Sequence, residues 1–153
     1  MKSLEKLLAF AFIAMIFTGA LAQETRPSGP SKPTQSEFFT SQVAMVLIAQ
    51  QEPTAIFALT LGAKKPLPTG STIQVEFENP NRPDTPFIVA GGVQNGKVVA
   101  QSPPFEGIHN RTSYLTRTKV FGADQQLLSV HDQWIWFEIP QVMRQAYATK
   151  IID

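Results

Sequence analysis

Twelve prolines run through the chain from Pro27 to Pro140, and their spacing limits the fold more than any other feature. Proline has no N–H to donate and fixes φ, so it breaks helix interiors and is kept out of central strands. Those at 53, 66, 68, 80, 83, 86, 103, 104 and 140 leave little room for a long helix before the C-terminus. Between them lie short apolar runs bounded by turn residues, which is a strand rhythm. The runs predict strands at Phe38–Gln50, Ala55–Leu61, Thr72–Glu78, Pro86–Gln94, Lys97–Gln101, Ser113–Phe121, Gln126–Val130 and Gln133–Ile139. In Ile73-Gln-Val75-Glu-Phe77 and Ile135-Trp-Phe137-Glu-Ile139 the apolar period is two, the mark of a half-buried strand. Phe38–Gln50 also reads as a helical turn leading into a strand. Asn95-Gly96 is a type I′ hairpin signal, because both central residues need positive φ.

The ends read differently from the middle. Residues 1–22 carry Lys2 and Lys6, an apolar run from Leu7 to Phe17 and the sequence Ala20-Leu21-Ala22, the three parts of a cleavable secretory signal peptide. An uncleaved anchor is the competing reading, but the uncharged stretch Leu7–Ala22 is 16 residues, short of the ~20 that span a bilayer. Cleavage before Gln23 leaves 131 residues with eleven basic and eleven acidic side chains, a neutral chain with no cysteine. An exported chain without disulfides favours a bacterial periplasmic or secreted protein that meets the membrane only transiently during export. Residues 23–37, rich in proline and without a large apolar residue before Phe38, predict a flexible tether. The expected domain is 38–140, followed by a tail at 141–153 able to form a short helix.

The strand count and spacing predict an all-β chain, an antiparallel β-sandwich of about seven or eight strands. Ile108-His-Asn-Arg-Thr112-Ser-Tyr114-Leu-Thr-Arg117-Thr-Lys119 resembles the tyrosine corner and following strand of fibronectin type III domains, and the wider immunoglobulin-like architecture. Ile108, Thr112, Tyr114, Arg117 and Lys119 fall at the offsets that family uses. The resemblance implies that the Tyr114 ring lies in the core while its hydroxyl bonds back to the chain. The chain departs from the family in having no tryptophan in Ala55–Leu61, and in placing Thr116 and Thr118 where inward apolar residues are usual.

Common catalytic signatures are missing from the sequence, and zero cysteines exclude thiol catalysis and Zn–S sites. The reading calls for no cofactor and no metal. His109 and His131 would need Glu106 or Asp132 to converge on them, and the His131-Asp132 pair points to opposite faces of any strand. Glu76 and Glu78 share a strand face about 7 Å apart and read as its solvated side. Asn110-Arg-Thr112 fits the N-glycosylation pattern. Balanced charge argues against a nucleic-acid partner.

One surface feature carries a functional expectation. With Ile135, Phe137 and Ile139 inward, Asp132, Trp134, Trp136 and Glu138 face outward. Exposed tryptophans mark a contact site. Alternatively Arg117 and Lys119 stack on them as a cation–π ladder, or the tail with Met143 and Tyr147 covers them. Phe105, in the loop Gln101–Gly107, is a second candidate contact or else a plug for the end of the domain. The expected function is a non-catalytic module binding a protein partner in the cell envelope. The alternative is a carbohydrate-binding module or small glycan-acting hydrolase facing a polysaccharide.

Overall fold

The computed structural model describes residues 25–49, 54–147 and 151–153. The expected signal peptide lies outside the described residues. The chain is β-rich: β1 Phe39–Ile48, β2 Ala55–Ala63, β3 Thr72–Phe77, β4 Phe87–Ala90, β5 Gly92–Gln94, β6 Lys97–Gln101, β7 Ile108–His109, β8 Thr112–Phe121, β9 Leu127–Phe137, the short helix α1 Gln141–Tyr147, and β10 Ile151–Ile152. Two four-stranded antiparallel sheets have the orders β1-β2-β6-β5 and β4-β3-β8-β9. β10 and β7 form a small parallel pair.

The period-two rows explain the packing. Phe57, Leu59 and Leu61 from β2, Val98 and Ala100 from β6, Ile73, Val75 and Phe77 from β3, Tyr114 and Val120 from β8, and Ile135 and Phe137 from β9 form one buried cluster that draws on both sheets. Phe57 touches the rings of Phe77, Phe105 and Tyr114, with centroids 6.0, 4.6 and 5.1 Å away. Aromatic rings dominate because each removes a large apolar area from water.

Two expected strands come out differently, for local reasons. Pro86–Gln94 is divided: β4 belongs to one sheet and β5 to the other. Gly91 makes the crossing, donating its N–H to Ile73 O at 3.0 Å. A Cβ there would meet Ile73 Cγ2 at 2.6 Å and Val98 Cγ1 at 3.2 Å, so only glycine allows the chain to pass this close to both. Gln126–Val130 and Gln133–Ile139 merge into the single strand β9, because His131 and Asp132 keep pairing with Thr118 and Arg117. Neither residue is a strand breaker of the glycine or proline kind.

Residues 38–49 form no helical turn; Phe39 starts β1. A bulge between Ser41 and Val43 shifts the alternation by one. Phe39 and Ser41 therefore point inward before it, and Ala44, Val46 and Ile48 after it. Asn95 (φ 49°) and Gly96 (φ 72°) sit between the paired residues Gln94 and Lys97, the backbone that a type I′ turn requires. The tail is helical over Gln141–Tyr147 and forms β10 at Ile151–Ile152, where Asn110 N–H bonds to Ile152 O at 2.7 Å. Among the described residues no helix is long and apolar enough to cross a membrane.

Candidate binding surface

The outer face of the β4-β3-β8-β9 sheet gathers most of the residues singled out from the sequence. Register places Glu76 opposite Arg117, and Arg117 opposite Asp132. Arg117 grips Asp132 through two bonds, Nε to Oδ1 at 2.8 Å and Nη2 to Oδ2 at 2.7 Å. Lys119 Nζ reaches Glu76 Oε1 at 2.5 Å, and Gln74 Nε2 donates to the same oxygen at 2.9 Å. Arg26 pairs with Glu78, whose other oxygen accepts the Leu115 N–H at 2.9 Å. Partly exposed pairs of this kind contribute about 0–1 kcal/mol each, so their main effect is to hold the side chains in place. Glu76 and Glu78 are thus an ion-paired row, largely covered, rather than a solvated one. Glu138 lies apart, pairing with Arg111 at 3.1 Å on an exposed edge.

Arg117 and Lys119 engage carboxylates, and Arg26 lies 6.0 Å from the Trp134 ring centroid. Trp134 and Trp136 are half-buried. Among the described residues the N-terminal stretch borders them, with Arg26 against the Trp134 ring and Pro30 and Pro33 on the groove that both tryptophans line, while Met143 of the tail stays exposed; the Tyr147 side chain lies outside the described part. In the stretch read as a tether, Ser31 and Thr34 bond to β9, and Arg26 and Pro27 to Ser113 of β8. Ser31 Oγ donates to Trp134 O at 3.1 Å, Thr34 Oγ1 to Asp132 O at 2.6 Å, Arg26 Nη1 to Ser113 O at 2.6 Å, and Ser113 Oγ to Pro27 O at 2.8 Å. Composition argues only about apolar burial; these hydroxyl bonds to an edge strand need none.

Two grooves flank Trp134. One, about 280 Å³, lies between β1 and β9 and is lined by Val43, Ala44, Trp134 and Trp136, with Pro30 and Pro33 of the N-terminal stretch. The other, about 500 Å³, lies on the outer sheet face between Trp134 and Pro83 and Pro86, with Leu115 as floor and Arg26, Glu76, Glu78 and Arg117 as walls. Next to the first groove, Val43, Met45 and Leu47 form an exposed row on β1, each 38–42% accessible. That row was missed as a site, although residues 38–51 contain no charged side chain. Both faces of β1 are apolar, a pattern that belongs to strands with cover on both sides.

Phe105 is corrected as a contact residue: it is 6% exposed, its ring lies against Phe57 and Phe87, and its backbone bonds Ala55 in both directions. It plugs the core end. Tyr114 is buried, accepts the His109 N–H at 2.7 Å and donates to His109 O at 3.3 Å, and its pKa is pushed up to about 12, chiefly by burial. Ile108 is fully buried beside it. Asn110 spends its side chain on Ile139 N–H at 3.0 Å and on Asp153.

His131 faces inward and Asp132 outward, as alternation demands. His131 Nε2 lies 2.8 Å from Ser41 Oγ, a nucleophile–base distance. Nδ1, however, has no hydrogen-bond partner among the described residues, and Asp132 is committed to Arg117. The pair is buried in an inward polar row with Thr116, Thr118 and Gln133, and without an orienting third group it does not form a triad. Burial holds the His131 pKa below its ordinary value, against the pull of the Asp132 carboxylate. Among the described residues no three His, Cys, Asp or Glu side chains converge as metal ligands would. Compared with known protein families and with curated protein sequences, the chain matches none.

Proposed function

We propose that this chain is an exported, non-catalytic module of the cell envelope that binds a protein partner along the side where β1 and β9 meet. The observation that carries the reading is the β1 row: Val43, Met45 and Leu47 stand exposed on an uncharged strand at a sheet edge, beside half-buried Trp134 and Trp136. Apolar edge strands invite pairing and are normally blunted by charge or proline; β1 carries neither, and the N-terminal stretch bonds to its start, Ser41 N–H to Thr34 O at 3.0 Å, while Val43, Met45 and Leu47 stay exposed. The groove beside this row holds two tryptophans, a residue type that concentrates binding energy in protein contacts.

The same proposal takes the fold as an immunoglobulin-like sandwich akin to fibronectin type III domains. It is supported by the strand orders β1-β2-β6-β5 and β4-β3-β8-β9 and by the bond of Tyr114 to the chain five residues upstream. Export and a periplasmic or secreted location rest on residues 1–22 of the sequence.

The test is site-specific photo-crosslinking from position 47 in the native compartment, with Met45→Lys and the double variant Trp134→Ser/Trp136→Ser as comparisons. A discrete polypeptide adduct, lost with either variant while thermal melts stay cooperative, is the expected result. Adducts that persist unchanged in both variants would refute the assignment.

A further inference from the structure

The groove on the outer face of β4-β3-β8-β9 is a different place from the β1 contact, and its chemistry is different. Three cations, Arg26, Arg117 and Lys119, and three anions, Glu76, Glu78 and Asp132, meet there pairwise. Four of these six line a groove of about 500 Å³, within the size range of small-molecule sites. Its remaining surface is carbon: the Trp134 indole on one side, Pro83 and Pro86 on the other, Leu115 beneath.

We propose that this groove binds a neutral sugar chain, one pyranose ring at a time. The charge balance selects against ions. An anionic ligand would face Glu76 and Glu78, a cationic one Arg26 and Arg117, and either would have to break a pair to form its own. Sugar hydroxyls both donate and accept, so they join paired groups without displacing them. A carboxylate offers about four lone-pair sites, and both bonds that Glu76 accepts go to Oε1. The C–H faces of a pyranose match the indole, the prolines and the leucine, which are apolar and flat or small. The walls are held before binding by the bidentate Arg117–Asp132 fork and the Lys119–Glu76 bond, which lowers the ordering cost of recognition. Arg26 sits at the outer limit of cation–π contact with Trp134, so it borders the ring while anchored to Glu78 and Ser113.

The test titrates the protein, as its host processes it, with cellotriose, maltotriose and triacetylchitotriose, and with trigalacturonate as the anionic comparator. The Trp134 indole N–H resonance is the readout. At least one neutral trisaccharide should saturate with a dissociation constant on the order of 1 mM, the range expected of an open, shallow groove. Leu115→Lys, on an outward position, and Glu78→Gln should each weaken it about tenfold, the loss of one good contact. Met45→Lys should leave it unchanged, which separates this site from the proposed protein contact: crosslinks without sugar binding sink this inference alone, and sugar binding without crosslinks sinks the other. No saturable shift with any neutral sugar, tighter binding of trigalacturonate, or binding that survives both groove variants would overturn the proposal.

Discussion

Tyr114 pins a local corner with one hydroxyl. Its ring packs on Phe57 and its oxygen serves both the N–H and the carbonyl of His109. Tyr114→Phe keeps the ring and strands a backbone N–H, so the expected loss is about 1–3 kcal/mol, read as a lower urea midpoint with an unchanged slope. His131 sets a pH dependence. Its folded pKa lies below the unfolded value, about 6.5 in model peptides. Between the two, the unfolded chain binds the extra proton, so stability is complete above the unfolded value and declines as pH falls below it. Urea midpoints at pH 7.5 and 5.0 should therefore differ more in the wild type than in His131→Gln; equal differences would remove His131 as the cause. Tyr114 was legible because its offsets to Ile108 and Thr112 are local in sequence. The partners of His131 were not, because Ser41 and Thr34 are about ninety residues away.

At the level of elements, the link between β4 and β5 does the most with one residue. Gly91 passes between Ile73 and Val98 as the chain leaves one sheet for the other. Gly91→Val has no room, and overpacking of this kind costs about 1–3 kcal/mol. A thermal melt should show the loss, whereas Gly29→Val, with open space around it, should leave the midpoint unchanged. Strands with regular alternation, β3 and the second half of β9, were readable almost residue by residue, because side-chain period alone decides which face is buried. The division at Gly91 was not readable. Pro86–Gln94 looks like one strand locally, and only the position of the second sheet makes it two. The Ser41/Val43 bulge is another such case: the extra residue is visible only against its partner strand β2.

For the whole molecule, Phe57 lies where the two sheets share their aromatic cluster, fully buried among Phe77, Phe105 and Tyr114. Phe57→Ala should cost about 3–5 kcal/mol and lower the stability of both sheets together, with tryptophan fluorescence and far-ultraviolet dichroism unfolding at one coincident midpoint. Separate transitions would show that the sheets do not share a single cooperative core. The sequence by itself determined the β-rich class, the Asn95-Gly96 turn, the inward rows and the tyrosine at the corner. The first three follow from local backbone preference and from the period of two, and the tyrosine from the resemblance of residues 108–119 to a tyrosine corner. Only the tertiary structure decided what the outward residues do. Arg117 and Lys119 pair with carboxylates, Phe105 is interior, and residues 26–34 bond to β8 and β9 instead of trailing from the domain. The physical reason is that facing direction is set within a strand, whereas the partner of an outward side chain is set by which strands become neighbours. That choice depends on the shared core and on chain crossings that no single segment encodes.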